Sequence, residues 1–144
     1  MIVPSRTAKI LGGSHVLGHR VTSIDALSRA VSAGLPKSAL RQTAARVYQS
    51  KIEQRELMNR IVPEATFKRR RDRLSAAESE RTERLARVIA QTEYVWNDRD
   101  DARQFLTTPH PALRGRTPLL VAMTELGARQ VEEILDQIFY GLPA

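Results

Sequence analysis

Glu53-Gln-Arg-Glu-Leu57-Met58-Asn-Arg60-Ile61-Val62-Pro63-Glu-Ala-Thr66-Phe67-Lys68-Arg69-Arg70-Arg71-Asp72-Arg73-Leu74 is the stretch that decides the fold. Leu57, Met58 and Ile61 recur at helical spacing, which predicts a helix from about Glu53 to Ile61. Pro63 lacks an N–H and fits the first turn of a second helix, which carries the basic run to about Arg73. Two short helices joined by Val62 and Pro63 describe a helix-turn-helix, whose second helix enters the major groove of DNA. At about 100° per residue, Phe67 and Leu74 point the same way and should anchor that helix to the core. Ala65, Lys68, Arg69 and Asp72 then face outward. Thr66, Lys68 and Arg69 are the candidates for bases, and Arg70, Arg71 and Arg73 for phosphates. The alternative for such a run is a solvated basic face without a partner.

The charge breaks immediately after this stretch. Residues 1–74 hold fifteen Lys/Arg against five Asp/Glu, and residues 75–144 hold eight against eleven, so the halves carry +10 and −3. Halves of opposite charge point to different partners, and the basic half suits a polyanion. The expected division is therefore an N-terminal arm with a helix-turn-helix module over 1–74, and a second helical domain over 75–144. A chain of 144 residues makes one ordinary domain or two marginal modules, so the halves are expected to pack together or to dimerise. Arginine outnumbers lysine nineteen to four, which favours bidentate contacts to phosphate, guanine or carboxylate. A GC-rich genome gives the same bias.

The absence of cysteine removes disulfides, thiolate metal sites and thiol nucleophiles. No apolar run approaches the ~18 residues of a membrane span, and Met1-Ile-Val-Pro-Ser-Arg lacks the pattern of a cleaved signal. A soluble, cytoplasmic protein is expected.

Almost everything else reads as helix. Residues 1–21, with Pro4, Gly12, Gly13 and Gly18 among short apolar pieces, read as an arm or an irregular strand. Ser23 caps a helix through Leu27 and Val31 that Gly34 stops, and Pro36 opens another through Leu40, Ala44 and Val47. Ser75-Ala-Ala-Glu78 is a capping box that starts the longest helix, with Leu85, Ile89, Thr92 and Trp96 on one stripe. On its solvent side, Glu80 and Glu83 precede Arg84 and Arg87 by four residues, the spacing of helix ion pairs. Asp98 opens a short helix through Phe105 and Leu106, Thr117-Pro118 another, and Thr124 the last, with Val131, Leu135 and Ile138 on its inner face.

Catalytic and metal readings find little support. His15 and His19 are four apart, but the glycines around them argue against a helix and no acidic third ligand is near. Asp98, Asp100 and Asp101 suit a helix start better than a calcium loop, which would lack its glycine and put Pro109 where a glutamate belongs. Gly12-Gly13-Ser14 has neither the partner residues of a phosphate loop nor the setting of a nucleophile. No catalytic set, metal site or cofactor is expected.

From Ala102 onward the order is Phe105-Leu106, Leu113-Arg114-Gly115-Arg116-Thr117-Pro118, Thr124-Glu-Leu-Gly127, Val131 to Leu135, and Tyr140-Gly141. This succession resembles the toxin-binding domain of the Xre/MbcA/ParS antitoxin family, with Phe105-Leu106 where that family often has Trp-Leu. Thr66-Phe67-Lys68-Arg69-Arg70 and Leu74-Ser75-Ala-Ala-Glu78 likewise resemble the family's recognition helix and the start of its long helix. The resemblance covers roughly Ile24 to Gly141. It implies an all-α fold, with an N-terminal helix-turn-helix followed by a small helical toxin-binding domain. It also implies an antitoxin of a type II pair that blocks a RES-domain, NAD-consuming toxin and represses its own operon. The implied partners are that toxin, in a hetero-oligomer, and operator DNA; a homodimer is expected because a single helix-turn-helix reads only a short site. Arg114, Gly115, Arg116, Tyr140, Gly141 and the tail Leu142, Pro143 and Ala144 are the candidates for toxin contact, and exposed Leu27, Val31 and Leu40 for a dimer seam. The alternative is a dimeric DNA-binding regulator or partition-type protein without a toxin.

Overall fold

Apolar residues at helical spacing, punctuated by capping residues, produce ten α-helices among residues 3–141, which the computed structural model describes. They are α1 (Pro4–Ile10), α2 (Gly13–Leu17), α3 (Ile24–Ala33), α4 (Lys37–Val47), α5 (Lys51–Ile61), α6 (Glu64–Arg69), α7 (Ala76–Trp96), α8 (Arg99–Thr107), α9 (Pro118–Val121) and α10 (Glu125–Phe139). A 3-10 turn, Pro111–Leu113, joins α8 to α9. Among the described residues there is no strand, and no helix is long and apolar enough to cross a membrane.

The caps explain where helices start. The side chains of Ser23, Ser50, Ser75, Asp98, Thr117 and Thr124 each accept from the N–H three residues on, satisfying a donor the helix cannot. Capped by Ser50, α5 begins at Lys51, two residues before the expected Glu53. The central element is α7, which packs against α1, α3, α4, α5, α8 and α10. Leu85, Ala86, Val88 and Ile89 of α7 are buried within one core that runs from Ala8 to Leu135. Each large side chain buried there stabilises the fold by about 1.5–3 kcal/mol. The basic and acidic halves therefore share a single core, as their size required.

Three expectations are corrected. Residues 1–21 are neither arm nor strand: Pro4 stands at the start of α1, and Gly12 and Gly18, at φ 112° and 83°, flank α2 as caps. Thr7, Ala8, Ile10, Leu11 and Leu17 are buried, and α1 lies along α7. Glycine and proline here punctuate short helices instead of preventing them. Leu27, Val31 and Leu40 are 5%, 8% and 0% exposed, so they belong to this core and offer no dimer seam. On α7, the half-buried Arg84 pairs with Glu125 of α10 at 3.1 Å, because a cross-helix carboxylate competes with Glu80. Glu83 and Arg87 do pair, at 3.3 Å, but half-buried against Glu132 and not on a solvent face.

Candidate functional site

Helix α5 supplies the platform and α6 the exposed face. Leu57, Ile61 and Val62 are buried, and Met58 and Phe67 pack partly against the same core. Asn59 Oδ1 accepts from the Glu64 N–H at 2.8 Å and closes the turn. From α7, Arg81 Nε donates to the Ile61 carbonyl at 3.0 Å, which ties the end of α5 to the long helix. The turn thus has an apolar underside and two polar clasps.

Helix α6 is shorter than expected, ending at Arg69 and not near Arg73. Arginine favours helix intrinsically, but tertiary bonds divert the chain. Arg70 turns extended, at φ −65° and ψ 134°, and residues 70–74 form a strap along the α3–α4 link. Lys37 N–H donates to the Asp72 carbonyl at 2.9 Å, Leu74 N–H to the Leu35 carbonyl at 2.8 Å, and Lys37 Nζ to the Arg70 carbonyl at 3.0 Å. Gly34 makes this approach possible: it sits at φ 94°, and a Cβ there would lie 2.6 Å from the Leu74 carbonyl oxygen. Leu74 is an anchor as expected, 3% exposed, but on the strap and not on the helix.

The strap divides the candidate DNA-binding residues. Thr66, Lys68 and Arg69 remain together on α6, with Lys68 and Arg69 exposed and Arg69 Nη2 donating to Thr66 Oγ1 at 3.3 Å. Arg71 is exposed on the strap. Arg70 and Arg73, read as phosphate ligands on a continuous helix, are engaged within the fold. Arg70 donates from two nitrogens to the Glu78 carboxylate, both at 3.1 Å, and Arg73 Nη1 donates to the Gly34 carbonyl at 2.8 Å. Glu78 also accepts from the Ser75 N–H at 2.8 Å, completing the capping box. Burial alone would raise the Glu78 pKa, but the Arg70 guanidinium and the Ser75 bonds outweigh it and hold the carboxyl below its ordinary value.

The C-terminal candidates occupy two places. Arg114, Gly115 and Arg116 are exposed on a loop closed by His110 N–H to the Arg116 carbonyl at 3.0 Å and Gly115 N–H to the His110 carbonyl at 3.1 Å. Arg114 and Gly115 are consecutive left-handed residues, at φ 59° and 74°. Tyr140 ends α10, 62% exposed, and Gly141 follows at φ 66°. Leu142, Pro143 and Ala144 lie outside the described residues.

Sequence reasoning missed what surrounds Tyr140. Its ring meets Phe139 edge-on at 5.1 Å, Phe139 lies 5.5 Å from Tyr94 of α7, and the Arg6 guanidinium of α1 stands 4.6 Å from the centre of the Tyr94 ring. Phe139 is itself 43% exposed. Arg6 could not be placed here while residues 1–21 read as an arm.

The family motifs of this half act on the backbone. A Cβ on Gly127 would collide with the Val121 carbonyl, and Gly127 N–H donates to Thr124 Oγ1 at 3.0 Å, so Thr-x-x-Gly both starts α10 and seats it on α9.

Comparison with known proteins matches two regions of the chain. Residues 26–87 match the family described as the antitoxin Xre-like helix-turn-helix domain, and residues 91–141 match the antitoxin Xre/MbcA/ParS C-terminal toxin-binding domain. Neither is an enzyme family. A curated relative, "Antitoxin Xre" of Pseudomonas putida, is 36% identical over 86 residues, covering 58% of this chain and 54% of the relative. The chain thus spans about half the length of the curated relative it matches. The α1 and α2 helices lie outside both matched regions.

Proposed function

This chain belongs to the Xre/MbcA/ParS antitoxin family, and from that premise we propose that it is the antitoxin of a type II pair, blocking a RES-domain, NAD-consuming toxin and repressing its own operon. The observation that carries this reading is that a helix-turn-helix region and a toxin-binding-domain region meet on one long helix, α7, and share one core. In this reading α7 joins the two parts, with α6 serving the operator through Thr66, Lys68 and Arg69. Toxin contact falls to the Arg114-Gly115-Arg116 loop, Tyr140, Gly141 and the tail Leu142 to Ala144. The described ones among them lie on an exposed loop and at a helix end, where a surface can change without emptying the core.

The protein acts in the cytoplasm as a homodimer, and as a hetero-oligomer with toxin. A single six-residue recognition helix reads a short site, whereas a dimer places two of them on half-sites about one helical turn apart. With Leu27, Val31 and Leu40 buried, the seam uses other residues.

The test is co-expression with a RES-domain protein encoded next to this gene, following cellular NAD and growth, together with gel shifts on the gene's own promoter. Restored NAD and growth with a shifted promoter fit the proposal. Promoter binding without neutralisation reduces the protein to a regulator.

A further inference from the structure

Beside α6 the surface is concave. A groove of about 770 Å³ opens between α4, α5 and α6 over a partly apolar floor that includes Phe67. Lys37, Arg41, Lys51, Arg55 and Lys68 line it against a single carboxylate, Glu64. Lys68 stands 3.4 Å from Glu64, so that pair largely cancels. Lys37 is held by the Arg70 carbonyl and lies 4.4 Å from the centre of the Phe67 ring. Arg41 stacks toward the same ring at 5.1 Å. Among the described residues, no carboxylate pairs with Arg41, Lys51 or Arg55, and all three are exposed.

Lys51 and Arg55 of α5 line this groove, whereas its carboxylates Glu53 and Glu56 line a separate cleft together with Arg60. Uncompensated cations over a low-dielectric floor concentrate positive potential in the groove.

We propose that this groove seats the sugar-phosphate backbone of duplex DNA beside the base pairs reached from α6, with Arg41, Lys51 and Arg55 as phosphate contacts. The inference rests on the DNA-binding reading of α6 and adds register-setting residues that lie outside the basic run. A phosphate backbone suits the groove better than an acidic polypeptide because Lys68 belongs to both the groove wall and α6. An anion held here lies next to the residues facing bases, and phosphate contacts of this kind set the register of a recognition helix. Guanidinium forks also match phosphate geometry.

The full-length chain carrying R41Q, K51Q and R55Q is titrated with a duplex of its own promoter and an unrelated duplex of equal length, at several salt concentrations. Both affinities should fall in the same proportion, and the slope of log K against log salt should become shallower by about one per residue, about three in all. The ratio of promoter to unrelated affinity should hold, whereas R69A should reduce that ratio. Returning charge as R41K and R55K should recover most of the slope. If the triple variant binds both duplexes like wild type while R69A loses the promoter, the groove inference is wrong and the α6 reading stands. A triple variant that keeps both duplexes but no longer neutralises a co-expressed toxin assigns the groove to a protein and also overturns the inference. If the wild-type chain binds neither duplex, the α6 reading fails and takes the inference with it.

Discussion

The α5–α6 hairpin and the C-terminal loops both attract attention in the sequence, yet their conspicuous residues do different work. In the hairpin the conspicuous feature is charge, and part of it, Lys68, Arg69 and Arg71, is exposed and available to a ligand. Arg70 is instead bound to Glu78, and Arg73 to the Gly34 carbonyl. In the C-terminal half the conspicuous residues are glycines, threonines and a proline that set backbone geometry. Thr117 and Thr124 cap helices, Leu113 is buried, and Gly127 lies against the Val121 carbonyl. A charged run thus also ties the fold together, whereas a capping motif marks the scaffold on which another surface is built.

The sharpest test of that contrast is Gly127→Ala. The added methyl meets a backbone oxygen that cannot swing away, so α9 or α10 must shift at a cost of about 2–4 kcal/mol. Urea unfolding should show a markedly lower midpoint. A midpoint within error of wild type would mean that this motif is not structural.

Next come two carboxylates of α7 that titrate in opposite senses. Glu78 is held below its ordinary pKa: burial opposes its charge, but Arg70 and Ser75 prevail. It therefore contributes stability above the ordinary glutamate value of about 4.3, lost as pH falls through the lowered folded value. Glu83 is pushed up, first by burial, which Arg87 only partly offsets while Glu132 adds to the rise. Its contribution is full below the ordinary value and lost as pH rises through the raised one. Glu78→Gln should flatten the acid side of a stability–pH curve, and Glu83→Gln should relieve the loss at higher pH. Curves that move together would show that the two sites are not distinct.

Much of this was legible and some was not, for physical reasons. The helix-turn-helix was readable because Leu57, Ile61 and Val62 must be buried in any packing of two short helices. The end of α6 was not, because nothing local stops a helix at Arg69; the strap's bonds to residues 35 and 37 do. The N-terminal helices were hidden because glycine and proline mark caps as often as loops, and only burial of Leu11 and Leu17 against other helices separates the two. In the C-terminal half the Arg114-Gly115-Arg116 turn is exposed. The aromatic group of Tyr94, Phe139 and Tyr140 with Arg6 needed three helices brought together from distant sequence.

A smaller difference separates two neighbouring arginines. Arg69→Ala should leave the melting temperature unchanged and cost promoter binding about 1–3 kcal/mol if it contacts a base. Arg70→Ala should lower the melting temperature, with DNA affinity falling because α6 loses its tether to α7. Equal melting temperatures in the two variants would argue against the assignment of Arg70 to positioning.

Under the proposed function, one core carries two separable surfaces, one for DNA and one for toxin. The most direct measurement compares Arg69→Ala with the double variant R114E and R116E in the full-length chain, scoring promoter binding and neutralisation of a co-expressed RES-domain toxin side by side. A crossed result is expected: Arg69→Ala loses the promoter and still neutralises, while the double variant holds the promoter and releases the toxin. If either variant loses both activities with its melting temperature intact, the two surfaces are not separate and the account is contradicted.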